Sequence, residues 1–117
     1  MRGQGVIIRS EAHGSGTTVS LAGQLDLASA ADIRLDLHRL IDLGAGAVRL
    51  DLGACTVADA TGLGLLVEVQ RRAHRRGRTL TIVSADDRTR RLLLRLRLGR
   101  LLHSLEPAAR LAEPATA

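Results

Sequence analysis

Residues 59–64 combine a carboxylate, a hydroxyl and two glycines at the predicted start of a helix. Asp59 is placed to cap that helix with a side-chain oxygen. The first turn of a helix has free backbone N–H groups and the positive end of the helix dipole, which together stabilise a phosphate. Gly62 and Gly64 carry no side chain, so the backbone of another chain can approach them closely. The segment therefore predicts a binding surface that phosphorylation of a hydroxyl would switch off.

Other chemical motifs are absent or incomplete. The sequence Gly62-Leu63-Gly64 is not a phosphate-binding loop of a nucleotide hydrolase, because its glycine spacing is wrong and the chain contains no Lys. A Ser-His-Asp hydrolase would need a Gly-x-Ser-x-Gly turn, which is missing. Cys55 is expected on the loop before Asp59, as a half-buried thiol and not a nucleophile. The four histidines have no metal-ligand spacing: His13, His38, His74 and His103. We expect no catalysis, no metal and no cofactor.

Composition excludes further classes of function. The 117 residues, of which 45% are hydrophobic, suffice for one domain with its own core. The chain has no Phe, Trp or Tyr, so it is not a single-strand nucleic-acid binder that stacks bases on aromatic rings. No segment approaches the ~20 apolar residues of a transmembrane helix. The first ten residues lack the long apolar segment of a signal peptide. A cytoplasmic protein is the expectation.

Positive charge is concentrated in the second half of the chain. Residues 1–70 hold five Arg and eight acidic residues, whereas residues 71–117 hold twelve Arg and four acidic residues. The favoured interpretation is a set of solvated helix faces. The alternative is a basic surface for acidic lipids, nucleic acid or an acidic partner. Direct DNA binding is not expected, because no helix-turn-helix pattern is visible. The arginines concerned are Arg71, Arg72, Arg75, Arg76, Arg78, Arg88, Arg90, Arg91, Arg95 and Arg97.

The pattern of apolar residues and turn signals predicts the order β-β-α-β-α-β-α-β. Parallel neighbours joined by right-handed crossovers follow from the β-α-β steps. We expect strands at 6–9, 17–21, 47–52, 79–83 and 101–102. The first helix is expected to begin at a Ser29 cap and to end at Gly44, the second to span 59–76 with Gly77 as its stop, and the third to run from Asp86 to Gly99. The fold class is a single α/β domain, a four- to five-stranded, mostly parallel sheet with three to four helices packed on it.

The second helix has a wide apolar arc, which predicts that it covers the sheet and leaves apolar surface for a partner around Leu63 and Leu65. The third helix is expected to bury Thr89, Leu92, Leu93 and Leu96. The domain is expected to span residues 1–106, and residues 107–117, which contain Pro107 and Pro114, to form a flexible C-terminal tail.

Three segments, in order, resemble motifs of STAS domains, the family of bacterial anti-sigma factor antagonists. The family pattern has an Asp, a phosphorylatable Ser, a small residue and then Gly-Leu-Gly, which residues 59–64 resemble. The sequence Gly23-Gln24-Leu25-Asp26 is similar to the family's Gly-Glu-Leu-Asp, and residues 91–102 are similar to its closing Leu…Gly-Leu segment. The resemblance implies a STAS-like fold and binding to an anti-sigma factor of the histidine-kinase-like ATPase family. The contact residues that it implies are Asp26, Asp59, Ala60, Thr61, Gly62, Leu63 and Gly64.

The chain departs from the family at the phosphorylated position. Ala60 stands where the family carries the Ser, and a methyl group cannot accept a phosphoryl group. Thr61 is the nearest hydroxyl, but adjacent helical residues point about 100° apart. Thr61 is therefore expected to be a helix-start residue, and only a weak candidate for phosphorylation. The prediction is an antagonist that the usual phosphorylation does not switch off.

Two other interpretations stay open. The first is a STAS subunit that regulates a lipid-transporting ABC-type ATPase complex, a class whose motif also tolerates a residue other than Ser after the Asp. The second is a STAS domain that binds a small ligand such as a nucleotide at the start of the second helix, where Asp59 would be required.

Overall fold

The computed structural model describes residues 5–14 and 16–97, and within them four strands and three helices follow one another. The elements are β1 (Ile7–His13), β2 (Gly16–Leu25), α1 (Leu27–Leu43), β3 (Val48–Val57), α2 (Ala60–Arg75), β4 (Leu80–Ala85) and α3 (Asp87–Arg95). The predicted order is confirmed through α3. The third helix was expected to run to Gly99, but α3 ends at Arg95, and the described residues 96 and 97 form a turn. The predicted strand at 101–102, the domain boundary at 106 and the tail at 107–117 lie outside the described residues.

The strands form one mixed sheet in the order β1-β2-β3-β4. β1 pairs with β2 in the antiparallel sense through a turn in which Gly14 has φ +56°. The β2–β3 and β3–β4 pairings are parallel, and each connection passes through a helix. Right-handed crossovers put α1 and α2 on the same face of the sheet. The expected mostly parallel sheet with helices packed on it is confirmed, with four strands and three helices in the described part of the chain.

The core lies between the helices and one face of the sheet, and it consists of aliphatic side chains. In β3, Val48, Leu50 and Leu52 are buried, and Arg49 between them is exposed. Ile33, Leu37 and Ile41 are buried along α1, as their spacing predicts. Full burial of one such side chain contributes about 1.5–3 kcal/mol.

All four strands end later than their residue patterns predict, and the extension of β2 and β3 is the one that affects the site. β2 continues to Leu25 and β3 to Val57, and these two residues are paired in the parallel register. Cys55 was expected on a loop, but it lies inside β3 with 2% of its surface exposed. The expectation fails because pairing with a neighbouring strand holds small residues in extended structure against their weak strand propensity.

The helix ends differ in two places from the prediction. Ser29 was expected to cap α1, but Asp26 is the cap residue and Ser29 is the third residue of the helix. Leu96 was expected in the core, but α3 ends at Arg95 and Leu96 is 49% exposed. The start of α2 at the Asp59 cap and the stop at Gly77, whose φ is +73°, are confirmed.

Candidate functional site

The starts of all three helices lie at one edge of the sheet. The parallel strands β2, β3 and β4 run in the same direction, so the helices that follow them begin side by side at the carboxyl edge. An aspartate caps each helix: Asp26 for α1, Asp59 for α2 and Asp86 for α3. This edge therefore presents free backbone N–H groups and three positive dipole ends.

Asp59 fastens the starts of α1 and α2 together. Its Oδ1 accepts a hydrogen bond from the Gly62 backbone N–H (3.0 Å), which caps its own helix. Its Oδ2 accepts one from the Leu27 backbone N–H (3.1 Å), the first residue of α1. The Ala58 N–H also donates to the Leu25 carbonyl (2.9 Å). The sequence predicted that Asp59 caps α2, but not that it also bonds to the start of α1.

Asp26 and Ser29 form a reciprocal capping box. The Ser29 N–H donates to Asp26 Oδ1 (3.0 Å), and the Asp26 N–H donates to Ser29 Oγ (2.9 Å). Ser29 Oγ also donates to the Gln24 carbonyl (2.7 Å). A box of this kind satisfies two helix-terminal donors at once and fixes how the chain enters the helix. Asp26 and Asp59, far apart in sequence, are therefore brought to neighbouring helix ends.

The two glycines of α2 have different surroundings. A Cβ on Gly62 would lie 2.5 Å from the Leu25 carbonyl oxygen, so Gly62 is needed for the close approach of α2 to β2 within this chain. Gly62 is buried, which removes the basis for expecting another chain to approach it. A Cβ on Gly64 would meet no atom within 4 Å, and Gly64 is exposed. Of the two glycines, only Gly64 remains open to another chain.

The apolar residues available to a partner are not the expected ones. Leu63 and Leu65 are 6% and 4% exposed and belong to the core, so they do not leave the exposed apolar surface that was expected around them. The wide apolar arc of α2 is largely buried, because α2 packs against α1 as well as against the sheet. Asp59, Ala60, Thr61 and Gly64 are exposed, and beside them Leu27 is 67% exposed. Leu27 was missed because a single leucine before a helical pattern carries no signal of its own.

A groove of about 380 Å³ runs between α1 and α2. We call it the α1/α2 groove, and it is lined by Leu27, Ala30, Ala31, Arg34, Thr61, Gly64, Leu65 and Glu68. Small residues make its walls, Leu27 stands at one end, and an ionic cluster closes the other. An elongated segment of a partner fits such a groove better than a compact small molecule.

The ionic cluster joins the two helices through Glu68. Arg34 Nε and Nη2 donate to the two carboxylate oxygens of Glu68 (both 2.8 Å), and His38 Nε2 lies 2.7 Å from Oε2. Burial raises the pKa of Glu68, but the hydrogen bonds with Arg34 and His38 outweigh this and leave that pKa below its ordinary value. The cluster fixes the spacing of α1 and α2, and with it the width of the groove.

Most of the Arg cluster is exposed, as its interpretation as solvated helix faces expects, but part of it is structural. Arg72 Nε and Nη2 donate to the two Asp42 oxygens (2.8 and 2.6 Å), and Arg76 is paired with the same carboxylate (3.2 Å). The hydrogen bond from Arg72 is the main reason why the pKa of Asp42 lies below its ordinary value. These ion pairs tie the end of α2 to the end of α1.

Arg78 is buried, with 4% of its surface exposed. It donates five hydrogen bonds of 2.8–3.1 Å, to the carbonyls of Leu40, Ile41, Ala45 and Gly46 and to Thr17 Oγ1. Burial lowers the pKa of the Arg78 guanidinium. Its donors satisfy the carbonyls that α1 leaves unpaired at its end.

Cys55 and the histidines form no catalytic constellation. Burial is the main reason why the pKa of the Cys55 thiol is raised to about 11, so the thiolate is disfavoured. Within residues 5–14 and 16–97, no three His, Cys, Asp or Glu side chains lie together as metal ligands. No helix in this described part of the chain is long and apolar enough to cross a membrane.

A family model described as "Mlab, STAS domain" matches residues 8–104. No curated protein matches the chain. Solved structures with a similar fold include three anti-sigma factor antagonists. An anti-sigma factor antagonist from Mycobacterium paratuberculosis has a TM-score of 0.74 and 19% identity, over 85% of this chain and 84% of that one.

The anti-sigma factor antagonist SpoIIAA of Bacillus, in its unphosphorylated form, has a TM-score of 0.69 and 18% identity, over 82% of this chain and 85% of that one. An antisigma-factor antagonist, a STAS domain from Rhodobacter sphaeroides, has a TM-score of 0.61 and 20% identity, over 66% of this chain and 84% of that one. At such identities the likeness is one of fold.

Proposed function

The chain belongs to the STAS domain family, and we propose that it is an anti-sigma factor antagonist. It binds an anti-sigma factor of the histidine-kinase-like ATPase family in the cytoplasm, and a sigma factor is thereby released for transcription. The domain acts by binding and not by catalysis. One observation carries the proposal: Asp59 fastens two helix starts together, and the exposed residues beside it are those of the STAS motif.

The proposed contact surface is the α1/α2 groove together with the exposed first turn of α2 beside it. Ala60, Thr61 and Gly64 are exposed along the first turns of α2, and Leu27 supplies the large apolar side chain that Leu63 and Leu65 do not. Asp26 and Asp59 hold this surface rigid through their hydrogen bonds. A rigid surface loses little conformational entropy on binding, which favours affinity.

Because of Ala60, the proposed antagonist binds its partner constitutively, without a phosphorylation switch. It is exposed on the first turn of α2, where a phosphoryl group would otherwise weaken binding, but a methyl group cannot be phosphorylated. Thr61 is exposed as well, but it points about 100° away around the helix. Control would then depend on the amount of the partner protein.

The test uses the purified anti-sigma factors encoded in the same genome, titrated one by one by isothermal calorimetry. We expect one of them to bind the wild type. Leu27→Ala is expected to weaken binding about tenfold, which corresponds to about 1.4 kcal/mol. Ala60→Asp is expected to weaken it at least as much, because the added charge is close to the contact.

Leu43→Ala is the matched control, because Leu43 is also an exposed leucine of α1 (80%) but lies at the opposite end of the helix. We expect less than a twofold change for it. Binding that survives both Leu27→Ala and Ala60→Asp would put the interface elsewhere, and the absence of binding to every anti-sigma factor would refute the proposed function.

Ala60 also supports a second candidate function. A STAS subunit that regulates a lipid-transporting ABC-type ATPase complex needs no phosphorylation switch, and Ala60 provides none. Co-purification would separate the two functions: a stoichiometric ATPase and permease support the second, and an anti-sigma factor supports the first.

A further inference from the structure

A second depression lies on the opposite side of the α2 start, away from the α1/α2 groove. It is a cleft of about 390 Å³ between the start of α2 and α3, which we call the α2/α3 cleft. One wall is made by residues of β3 and α2 and the other by residues of α3: Val57, Ala58, Asp59, Ala60, Leu63, Arg88, Arg91, Leu92, Arg95 and Leu96. Ala60 therefore stands on the rim of this cleft.

Three arginines give the cleft its charge. Arg88, Arg91 and Arg95 are spaced at i, i+3 and i+7, so they share one face of α3, and all three are exposed. Within residues 5–14 and 16–97 none of them forms an ion pair, in contrast to Arg72 and Arg76. The face extends about 10 Å along the helix.

Two carboxylates beside the cleft, Asp59 and Asp86, are engaged as helix caps. Asp59 accepts hydrogen bonds from two backbone N–H groups, and Asp86 accepts one from Thr89 (2.7 Å). The pKa of Asp86 lies below its ordinary value, first because of Thr89 and also because Arg88 and Arg91 are close. The positive end of α2 points to the same region. Three arginines and one carboxylate, Asp59, line the cleft, so its lining has an excess of positive charge.

Apolar surface accompanies this charge. Leu92 is half-buried against the core, and Leu96 is 49% exposed at the end of α3. A single phosphate group cannot span three arginines and also cover these leucines. A peptide segment with carboxylates and an apolar side chain matches both features.

We propose that the α2/α3 cleft binds an acidic segment of the partner protein, with carboxylates paired to Arg91 and Arg95 and an apolar side chain packed on Leu92 and Leu96. The identity of that partner as an anti-sigma factor rests on the proposed function, whereas its acidic chemistry rests on the cleft alone. The complex would then hold the α2 start from two sides, the groove and the cleft.

The first experiment is an amide NMR titration of the full chain with a blocked seven-residue peptide of alternating Glu and Leu. We expect shift changes confined to residues 58–60 and 88–96, and none with the same peptide carrying Lys in place of Glu. The double variant Arg91→Glu/Arg95→Glu is expected to raise the dissociation constant at least about tenfold. A melting curve by circular dichroism shows that the variant is folded.

The matched control is Arg71→Glu/Arg75→Glu, which makes the same charge change at two exposed arginines on α2, outside the cleft. We expect less than about a twofold change for it. Equal loss in the two double variants, or equal binding of the Glu and Lys peptides, would overturn the proposal. Two further outcomes would overturn it. Shift changes at the cleft that depend on protein concentration in the absence of peptide would identify a second copy of the chain as the occupant. NMR contacts between the cleft and residues 98–117 would identify the chain's own C-terminal segment as the occupant.

The second experiment repeats the calorimetric titration with the anti-sigma factor. Loss of binding for Arg91→Glu/Arg95→Glu but not for Arg71→Glu/Arg75→Glu supports the cleft as part of that interface. If the acidic peptide binds and no anti-sigma factor does, the proposed function fails, but the proposal that the cleft binds an acidic segment is still supported. If the anti-sigma factor binds and the cleft variant leaves its affinity unchanged, the cleft proposal fails and the proposed function stands.

Discussion

Two alanine substitutions, two residues apart in α2, are predicted to change stability in opposite directions. Gly62→Ala places a Cβ 2.5 Å from the Leu25 carbonyl oxygen, a backbone atom that cannot move aside without shifting β2. Gly64→Ala places a Cβ where no atom lies within 4 Å. Both residues lie in the same helix, so a general effect of alanine on helix propensity cannot produce the difference.

The magnitudes follow from these surroundings. Overpacking of a close contact destabilises by about 1–3 kcal/mol, so Gly62→Ala is expected to lower the melting temperature by at least about 5 °C. Removal of an exposed glycine from a helix interior stabilises by about 0.5–1 kcal/mol, so Gly64→Ala is expected to raise it by about 4 °C. The same methyl group protrudes into the α1/α2 groove, and we expect it to weaken partner binding about tenfold.

The assay is a pair of melting curves by circular dichroism with the calorimetric titration beside them. Gly64→Ala should thus be the variant that is more stable and binds less well. A Gly62→Ala protein that melts at or above the wild-type temperature would refute the assigned role of Gly62. A Gly64→Ala protein that loses stability, or binds as tightly as the wild type, would refute the assignment of Gly64 to an open binding surface.

Three further predictions concern the groups that hold the fold. Arg78→Met should lower the free energy of unfolding by at least about 3 kcal/mol in urea titrations, because buried carbonyls lose their donors, and wild-type stability would refute this role. The pKa values of Asp42 and Glu68 lie below the ordinary 3.8 and 4.5, so the stability that they contribute is present above those values and is lost as the pH falls through the lower folded-state values. Glu68→Gln should therefore reduce the difference in unfolding free energy between about pH 7 and about pH 3. An unchanged difference would show that the lowered pKa of Glu68 does not contribute to the pH dependence of stability. Cys55, with a pKa of about 11 and 2% exposure, should react with Ellman's reagent only after unfolding, and rapid reaction of the native protein would contradict its burial.

Local patterns predicted the elements because apolar spacing, glycine stops and aspartate caps act within a few residues. Asp59 could be recognised as the cap of α2 from its neighbours alone, and Gly77 as its stop. The choice between Asp26 and Ser29 as the cap of α1 depended on where β2 ends, and that depends on the pairing of Leu25 with Val57. A strand pairing is a non-local property, so the sequence around residue 26 does not contain it.

The motif was expected at the start of α2, and α2 begins there, but the sequence did not predict which side chains around it are exposed. Ala60, Thr61 and Gly64 of the motif are exposed. The exposed leucine beside the motif is Leu27 and not Leu63, because the packing of the helices and the sheet buries Leu63 and leaves Leu27 at the groove. Arg78 also could not be recognised from local sequence, because nothing in a run of basic residues indicates that five acceptors surround this one.

The central claim is that this STAS domain binds its anti-sigma factor without a phosphorylation switch. It is tested most directly by following the preformed complex after ATP is added, for the wild type and for Ala60→Ser. We predict that the wild-type complex persists without phosphate on the antagonist, and that the Ala60→Ser complex dissociates as position 60 becomes phosphorylated. Dissociation of the wild-type complex with phosphate on Thr61 would contradict the claim.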